Sequence, residues 1–427
     1  MENIYNNLKR VRVSFKSLIL LLSSTQAFLA NGLSAHHQQV AFLSYNLGKR
    51  YGLDEDSVKR LTLAALVHDV GALSAQEHME IAKIDVVSNF DSNHATKGAA
   101  LLTSFKPFAH FAPIIKYHHL PWDDGRGLEY NGEQVPIESH IMCLADQISL
   151  KYGREKFIMK KMPEIMEMLE AKRGSVFIPQ LVEIMHGLSH KHSFWLAFTN
   201  DNPLEQIGDY NLFDTIQLEA DDVIDLAHVI SQIIDFRSPF TARHSAGVAE
   251  TATNLARLAN FSENEQKMMR IAGYLHDIGK IAIRNEVLEK PGKLTDEEMT
   301  EMKAHTYYTA RMLNTIPQFA IVNQWAALHH ERMDGKGYPF GYTGEFMPLG
   351  SRLMAVADVF TAVTEHRPYR DGLDKKDVIK ILDNMVEGGA LDRFSTDLLI
   401  ENFDEINEQR IKAQEAAMER FERFMDE

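Results

Sequence analysis

The chain has 427 residues, 45% of them hydrophobic and 25% charged, with a formal net charge of -15. That length suggests two or three domains of about 150 residues, and the acid excess argues against a broad, sequence-independent grip on a nucleic acid polymer, which draws on surplus Lys and Arg. The single Cys143 excludes an intrachain disulfide or a Cys-rich zinc site, so a reducing cytoplasm is the expected location.

Residues 17–30 contain an apolar run, but Ser23, Ser24, Thr25 and Gln26 interrupt it before it is long enough to span a bilayer. The segment reads as the first core helix of a domain, and no membrane association is expected. Beyond it, apolar residues recur at helical spacing, as in 248–258 and 321–328, so the expected fold class is all-α. Residues 199–211 collect Asn, Asp, Pro and Gly, which break helices. They divide the chain into an expected N-terminal domain, 1–205, and a C-terminal domain, 212–427.

Each half carries the same ordered series of potential ligands. The first has His36, His68, Asp69, His94, His118, His119 and Asp146; the second has His244, His276, Asp277, His305, His329, His330 and Asp358. The two series are offset by 208 residues at the first positions and by 211 or 212 at the later ones, which signals duplication of a whole domain. Five imidazoles and two carboxylates are too many for one tetrahedral ion and suit two borderline divalent ions, with a carboxylate shared between them.

In the second half, Lys280 follows the His-Asp pair closely enough to reach a phosphate oxygen. Thr295 and Glu298 form a capping-box pattern that opens the helix carrying His305. After His329 and His330 comes a glycine-bearing loop that includes Asp334, Gly337, Tyr338 and Pro339. Asp358 falls in an apolar helix, where an ionised carboxylate needs a cation or donor. The tail, 407–427, is an amphipathic charged helix that packs in cis or, as the alternative, builds a homodimer.

Taken together, LHDIGK, HHERMDGKGYP and ADVFTAVTEHRPYR make residues 218–398 resemble the HD-GYP domains of the HD phosphohydrolase superfamily. The resemblance implies two tandem HD-type helical bundles and a phosphodiesterase that opens a cyclic dinucleotide, cyclic di-GMP or cyclic GMP-AMP, by attack of a metal-bridging hydroxide. It implies two divalent ions, Fe or Mn. His244, His276, Asp277 and Asp358 would hold one, while Asp277, His305, His329 and His330 would hold the other. Lys280 is the implied phosphate ligand, and Asp334, Gly337, Tyr338, Pro339, Arg367 and Arg370 are the implied substrate contacts. Some members recruit a third ion with a Glu one turn before the first His; Phe240 stands there.

The first half resembles the same domain in degraded form. It has Ala72 in place of the lysine, Gly127-Leu128-Glu129 in place of the Gly-Tyr-Pro loop, and Leu120 opposite Glu331. The expected role is regulatory or dimerising, with or without metal on the seven retained ligands, and the other reading is a second, altered catalytic centre. Two further classes stay open for the whole chain, a general HD nucleotidase and a signalling adaptor that binds nucleotide without turnover.

Overall fold

A computed structural model describes residues 13–14, 17, 19, 21, 35–72, 93–103, 105–200, 202–207, 217–235, 243–290, 292–365 and 372–426. It divides the chain into two compact units, 22–214 and 215–426 together with 1–21. The first residues therefore belong with the C-terminal unit and not with the domain expected over 1–205. The cause is a short antiparallel pairing of Val13–Ser14 (β1) with Gln217–Leu218 (β4). Of the apolar run expected as a core helix, Ile19 and Leu21 are helical and fully buried, and the rest of 17–30 lies outside the described residues except Ser17.

The N-terminal unit is built from α1 (His36–Tyr51), α2 (Glu55–Ala65), α3 (Asn93–Thr103), α4 (Ala112–Lys116) and α5 (Ile137–Tyr152), followed by α6 (Met162–Ala171), α7 (Pro179–Ser189) and α8 (His192–Phe198). Its loop after α4 carries a two-stranded ladder, Glu129–Tyr130 (β2) with Glu133–Gln134 (β3). The C-terminal unit runs α9 (Ala220–Asp235), α10 (His244–Leu258), α11 (Glu263–Leu275), α12 (Asn285–Leu288), α13 (Asp296–Leu313), α14 (Ala320–Ala327), α15 (Leu349–Thr364), α16 (Lys375–Glu387), α17 (Arg393–Glu401) and α18 (Phe403–Asp426). Among the described residues these four two-residue strands are the whole of the sheet content, so the expected all-α class holds.

Both units repeat one core: α11 and α15 pack on α10 as α2 and α5 pack on α1. Side chains such as Val248, Leu255, Ile271, Leu353 and Phe360 are fully buried in that core. Each stabilises the fold by about 1.5–3 kcal/mol through burial of apolar surface. The helix starts are specified locally. Ser262 and Glu265 form a capping box at α11, and Thr295 and Glu298 form one at α13, as their spacing predicts. The tail helix α18 lies along α10, burying Ile406, Arg410, Gln414, Ala417 and Phe421 at helical intervals. Among the described residues no helix is long and apolar enough to cross a membrane.

Candidate metal centre and active site

Four ligand positions follow from how helices end. The last carbonyls of a helix lack intrahelical partners, and an imidazole placed just beyond can donate Nδ1–H to one of them. His276 donates to Gly273 O at 2.8 Å and His329 to Ala326 O at 2.6 Å, each just past the end of α11 or α14. His68 and His118 do the same in the N-terminal unit, to Ala65 O at 2.9 Å and Ile115 O at 2.6 Å. His305, inside α13, donates to Met302 O at 2.7 Å. In each case Nδ1 carries the proton, so the Nε2 lone pair is left for a cation.

The chain then turns sharply after His276. Gly279 enables the turn: a Cβ there would lie 1.9 Å from the His305 carbonyl oxygen and 2.6 Å from the Thr309 nitrogen. Gly71 is in the same position against His94 O, at 2.1 Å. Only glycine permits so close an approach, which brings the His-Asp turn against the helix bearing the next ligand. Thr309 closes this junction by accepting from Gly279 N and donating to His276 O, both at 3.0 Å.

Asp277 stands at the centre of the C-terminal cluster. Its Oδ2 is 3.2 Å from His276 Nε2 and 4.0 Å from His244 Nε2, and its Oδ1 is 3.4 Å from His305 Nε2 and 4.0 Å from His329 Nε2. Asp358 completes one side, 3.2 Å from His244 Nε2, and its other oxygen is 3.9 Å from His330 Nδ1. Two compact triads result, His244 with His276 and Asp358, and His305 with His329 and His330. The seven expected ligands thus converge in one cluster, four imidazoles within 4.0 Å of Asp277 and His330 3.9 Å from Asp358.

The donor set fits divalent ions. His276 Nε2 and Asp277 Oδ1 are buried without a hydrogen-bond partner, and such orphaned atoms cost about 1–3 kcal/mol each unless something binds them. Burial pushes His305, His329 and His330 down to about 3, so they are neutral imidazoles near pH 7. Burial acts on His244 in the same direction, but Glu365 and Asp358 outweigh it and raise it to about 10. An ion held at its Nε2 would take the place of a proton there. For Asp277 burial favours the neutral acid, yet His276 and Lys280 hold the carboxyl well below its usual range.

Lys280 lies in a 3-10 turn, Ile278–Ala282, with Nζ 2.5 Å from Asp277 Oδ2. Burial would lower its amine, but Asp277 raises it above the ordinary lysine value. The Tyr338 ring sits 4.9 Å from that of His330 and 6.4 Å from that of His305, while Gly337 lets the loop pass where a Cβ would lie only 2.5 Å from Arg332 N and Glu331 Cα. Pro339 is half-buried beside them. Asp334 is engaged otherwise than expected for a substrate contact. Both of its oxygens take a bidentate Arg332 guanidinium at 2.9 and 2.8 Å, and one also accepts from Lys336 N, which braces the loop from within. Arg367, Arg370 and Phe240 lie outside the described residues.

Two side chains at these sites escaped the sequence reading, Glu365 and Gln414, and a third, Glu331, was noted there only as the counterpart of Leu120. Glu365 is 2% exposed and accepts from His244 Nδ1 at 3.3 Å, while Gln414 of α18 donates to the same carboxylate oxygen at 3.4 Å. Their signal was weak, an acid at a helix end and an amide in a charged helix. Glu331, 2% exposed, accepts from Phe340 N, Gly341 N and Tyr342 N at 2.7, 3.1 and 3.1 Å and so fixes the loop to the His329-His330 turn. Leu120, at the corresponding place, packs instead with Tyr117 and Val135.

The expected N-terminal ligands also converge. His36 Nε2 is 3.2 Å from Asp146, and Asp69 is 3.2 Å from His68 Nε2 and 3.5 Å from His94 Nε2. His118 and His119 lie with ring centroids 3.9 Å apart, and His119 Nε2 is 3.1 Å from His94 Nε2.

HD domain profiles match residues 33–151 and 228–393, one in each unit. The chain is 30% identical over 377 residues to the 3'3'-cGAMP-specific phosphodiesterase 1 of Vibrio cholerae serotype O1, covering 86% of both proteins. It is 42% identical over 144 residues to the cyclic di-GMP phosphodiesterase response regulator RpfG of Xanthomonas campestris pv. campestris, covering 33% of this chain and 38% of that protein. The crystal structure of V-cGAP3, a cyclic GMP-AMP phosphodiesterase of V. cholerae, shares the fold with a TM-score of 0.63 at 22% identity, over 92% of this chain and 98% of that one. With both HD domains in place and a relative matched along most of its length, the chain belongs to the HD-GYP branch of the HD phosphohydrolases, the metal-dependent cyclic-dinucleotide phosphodiesterases.

Proposed function

We propose that the C-terminal unit hydrolyses 3'3'-cGAMP in preference to cyclic di-GMP, giving the linear dinucleotide. The observation that carries the reading is the meeting of two ligand triads on either side of Asp277 with Lys280 beside them. Substrate preference is supported by the cGAMP-specific relative, which matches 86% of this chain, whereas RpfG matches 33%.

His244, His276, Asp277 and Asp358 would hold one divalent ion, and Asp277, His305, His329 and His330 the other; the donor types suit first-row ions, and the resemblance implies Fe or Mn. Such a pair supplies activated water and neutralises charge on the phosphoryl group. The protein's own part is to hold and orient. Lys280 steadies a non-bridging phosphate oxygen as charge develops there. Tyr338 walls the site beside His330, and Arg367 and Arg370 are kept as base or phosphate contacts on sequence grounds. One P–O bond to a ribose oxygen breaks, water oxygen takes its place on phosphorus, and the freed ribose oxygen leaves as a hydroxyl. We place the protein in a reducing cytoplasm, which suits the buried thiol of Cys143.

Full-length protein loaded anaerobically with Fe(II), and in parallel with Mn(II), is to be given 3'3'-cGAMP, cyclic di-GMP and a panel of mononucleotides, with products separated by chromatography. A linear dinucleotide forming fastest from 3'3'-cGAMP is the expected result, and Asp277→Ala should abolish it together with the C-terminal metal. Well-metallated protein that releases phosphate only from mononucleotides would overturn the reading in favour of a general nucleotidase.

A further inference from the structure

The N-terminal cluster contains a ligand that the repeat does not. His37 follows His36 in the first turn of α1, is 2% exposed, and directs Nε2 to within 3.5 Å of Asp69 Oδ2. At the equivalent place in the C-terminal unit stands Ser245, whose hydroxyl donates to Asp235 at 2.9 Å. The N-terminal unit thus gains an imidazole where the other has a hydroxyl, and it has Ala72 where the other has Lys280.

The atoms facing this cluster are those of a ligand shell. Nε2 of His36, His37, His68 and His118 is buried with no hydrogen-bond partner, as are Asp69 Oδ1 and both oxygens of Asp146. For His36 the ring orientation is set: Ser149 Oγ donates to Gln39 at 3.0 Å and so accepts from His36 Nδ1 at 2.9 Å, which turns Nε2 inward, 3.2 Å from Asp146. The donors sort into His36, His68 and Asp146; His37, His68 and Asp69; and His94, His118 and His119. On the His37 side, four side chains besides Asp69 converge. A borderline ion that accepts four to six ligands has little room left there for water.

Accessibility points the same way. The N-terminal ligands are all 5% exposed or less, whereas in the C-terminal cluster the side chains of His330, Lys280 and Asp358 are 31%, 20% and 12% exposed. A hydrolytic ion keeps an open position, while a structural one is closed by protein.

We propose that the N-terminal unit holds a closed pair of divalent first-row ions, with His37 filling the position that the C-terminal unit leaves to water, so that this centre stabilises the fold and turns over no substrate. The inference rests on reading these clusters as metal sites, and its test counts metal without using turnover.

Full-length Asp277→Ala protein, stripped of its C-terminal ions, is analysed by elemental mass spectrometry. It should retain roughly two ions per chain and release them into EDTA at least about tenfold more slowly than wild-type protein releases its C-terminal pair. Adding His37→Ser, the residue of the other unit, should speed that release at least about tenfold and change the visible absorption of the cobalt-loaded protein. His37→Asn serves if the serine variant fails to fold. Folded Asp277→Ala chain devoid of metal, or release unchanged by His37 substitution, would overturn the proposal. Inactivity of wild-type protein on cyclic dinucleotides, with the metal count as expected, would refute only the substrate reading.

Discussion

Glu331→Gln isolates the contribution of the loop to catalysis. One carboxylate oxygen, Oε1, takes Phe340 N and Gly341 N, and the other, Oε2, takes Tyr342 N. The amide can keep one oxygen for the first two donors, but its NH2 then faces the Tyr342 N–H. At a site 2% exposed, water is poorly placed to compensate. An unsatisfied buried donor costs about 1–3 kcal/mol. Taking the middle of that range, about 2 kcal/mol spent on the seated loop corresponds to a roughly 30-fold loss in kcat/KM if Tyr338 must stand beside His330 for turnover. Glu331→Leu, which copies Leu120, removes all three acceptors and should be worse. The assay is steady-state linearisation of 3'3'-cGAMP with metal content measured on the same samples. A kcat/KM within twofold of wild type, or a loss that tracks missing metal, would refute the argument.

Glu365→Ala should weaken metal binding at His244 by about 10- to 100-fold, since a ligand histidine loses the partner that orients it; chelator-competition titration checks this, and unchanged affinity would dismiss the role. Gly279→Ala should destabilise the C-terminal unit by at least ~3 kcal/mol, because the new Cβ meets backbone and not a movable side chain; a melting temperature within a degree of wild type would contradict it. His228, pushed down to about 3 by burial and by Arg420, stays neutral in the folded chain. Its unfolded form takes a proton below about pH 6.5, so stability falls as pH drops, by up to about 2 kcal/mol between pH 6.5 and 5. Denaturant titrations at the two pH values should show a slope that His228→Gln lessens by about that amount, the remainder coming from the other buried neutral histidines.

The ligand series was readable because imidazoles and carboxylates are out of place in apolar helices and recurred at nearly constant offsets. The same logic hid His37. A search for what two units share discards what one of them adds, and His37 has Ser245 as its counterpart. Glu365 and Gln414 were invisible for another reason: each looks like a solvated polar residue until α15 and α18 bring them to the back of His244. The assignment of the first residues to the C-terminal unit rests on a two-residue strand pair some 200 positions apart, too short and too distant to leave a periodic trace. Asp334 lies in the recognised loop, but only its geometry with Arg332 shows that its charge is already spent.

His276, His329, His68 and His118 are aimed by carbonyls of the helices they terminate. Aim of this kind is inherited from the nearest turn of backbone and owes nothing to the loops that touch substrate. A duplicated copy can therefore exchange its lysine and rebuild its mouth while the inner imidazoles keep their bearing. Cation capture and chemical turnover become separable traits within one scaffold.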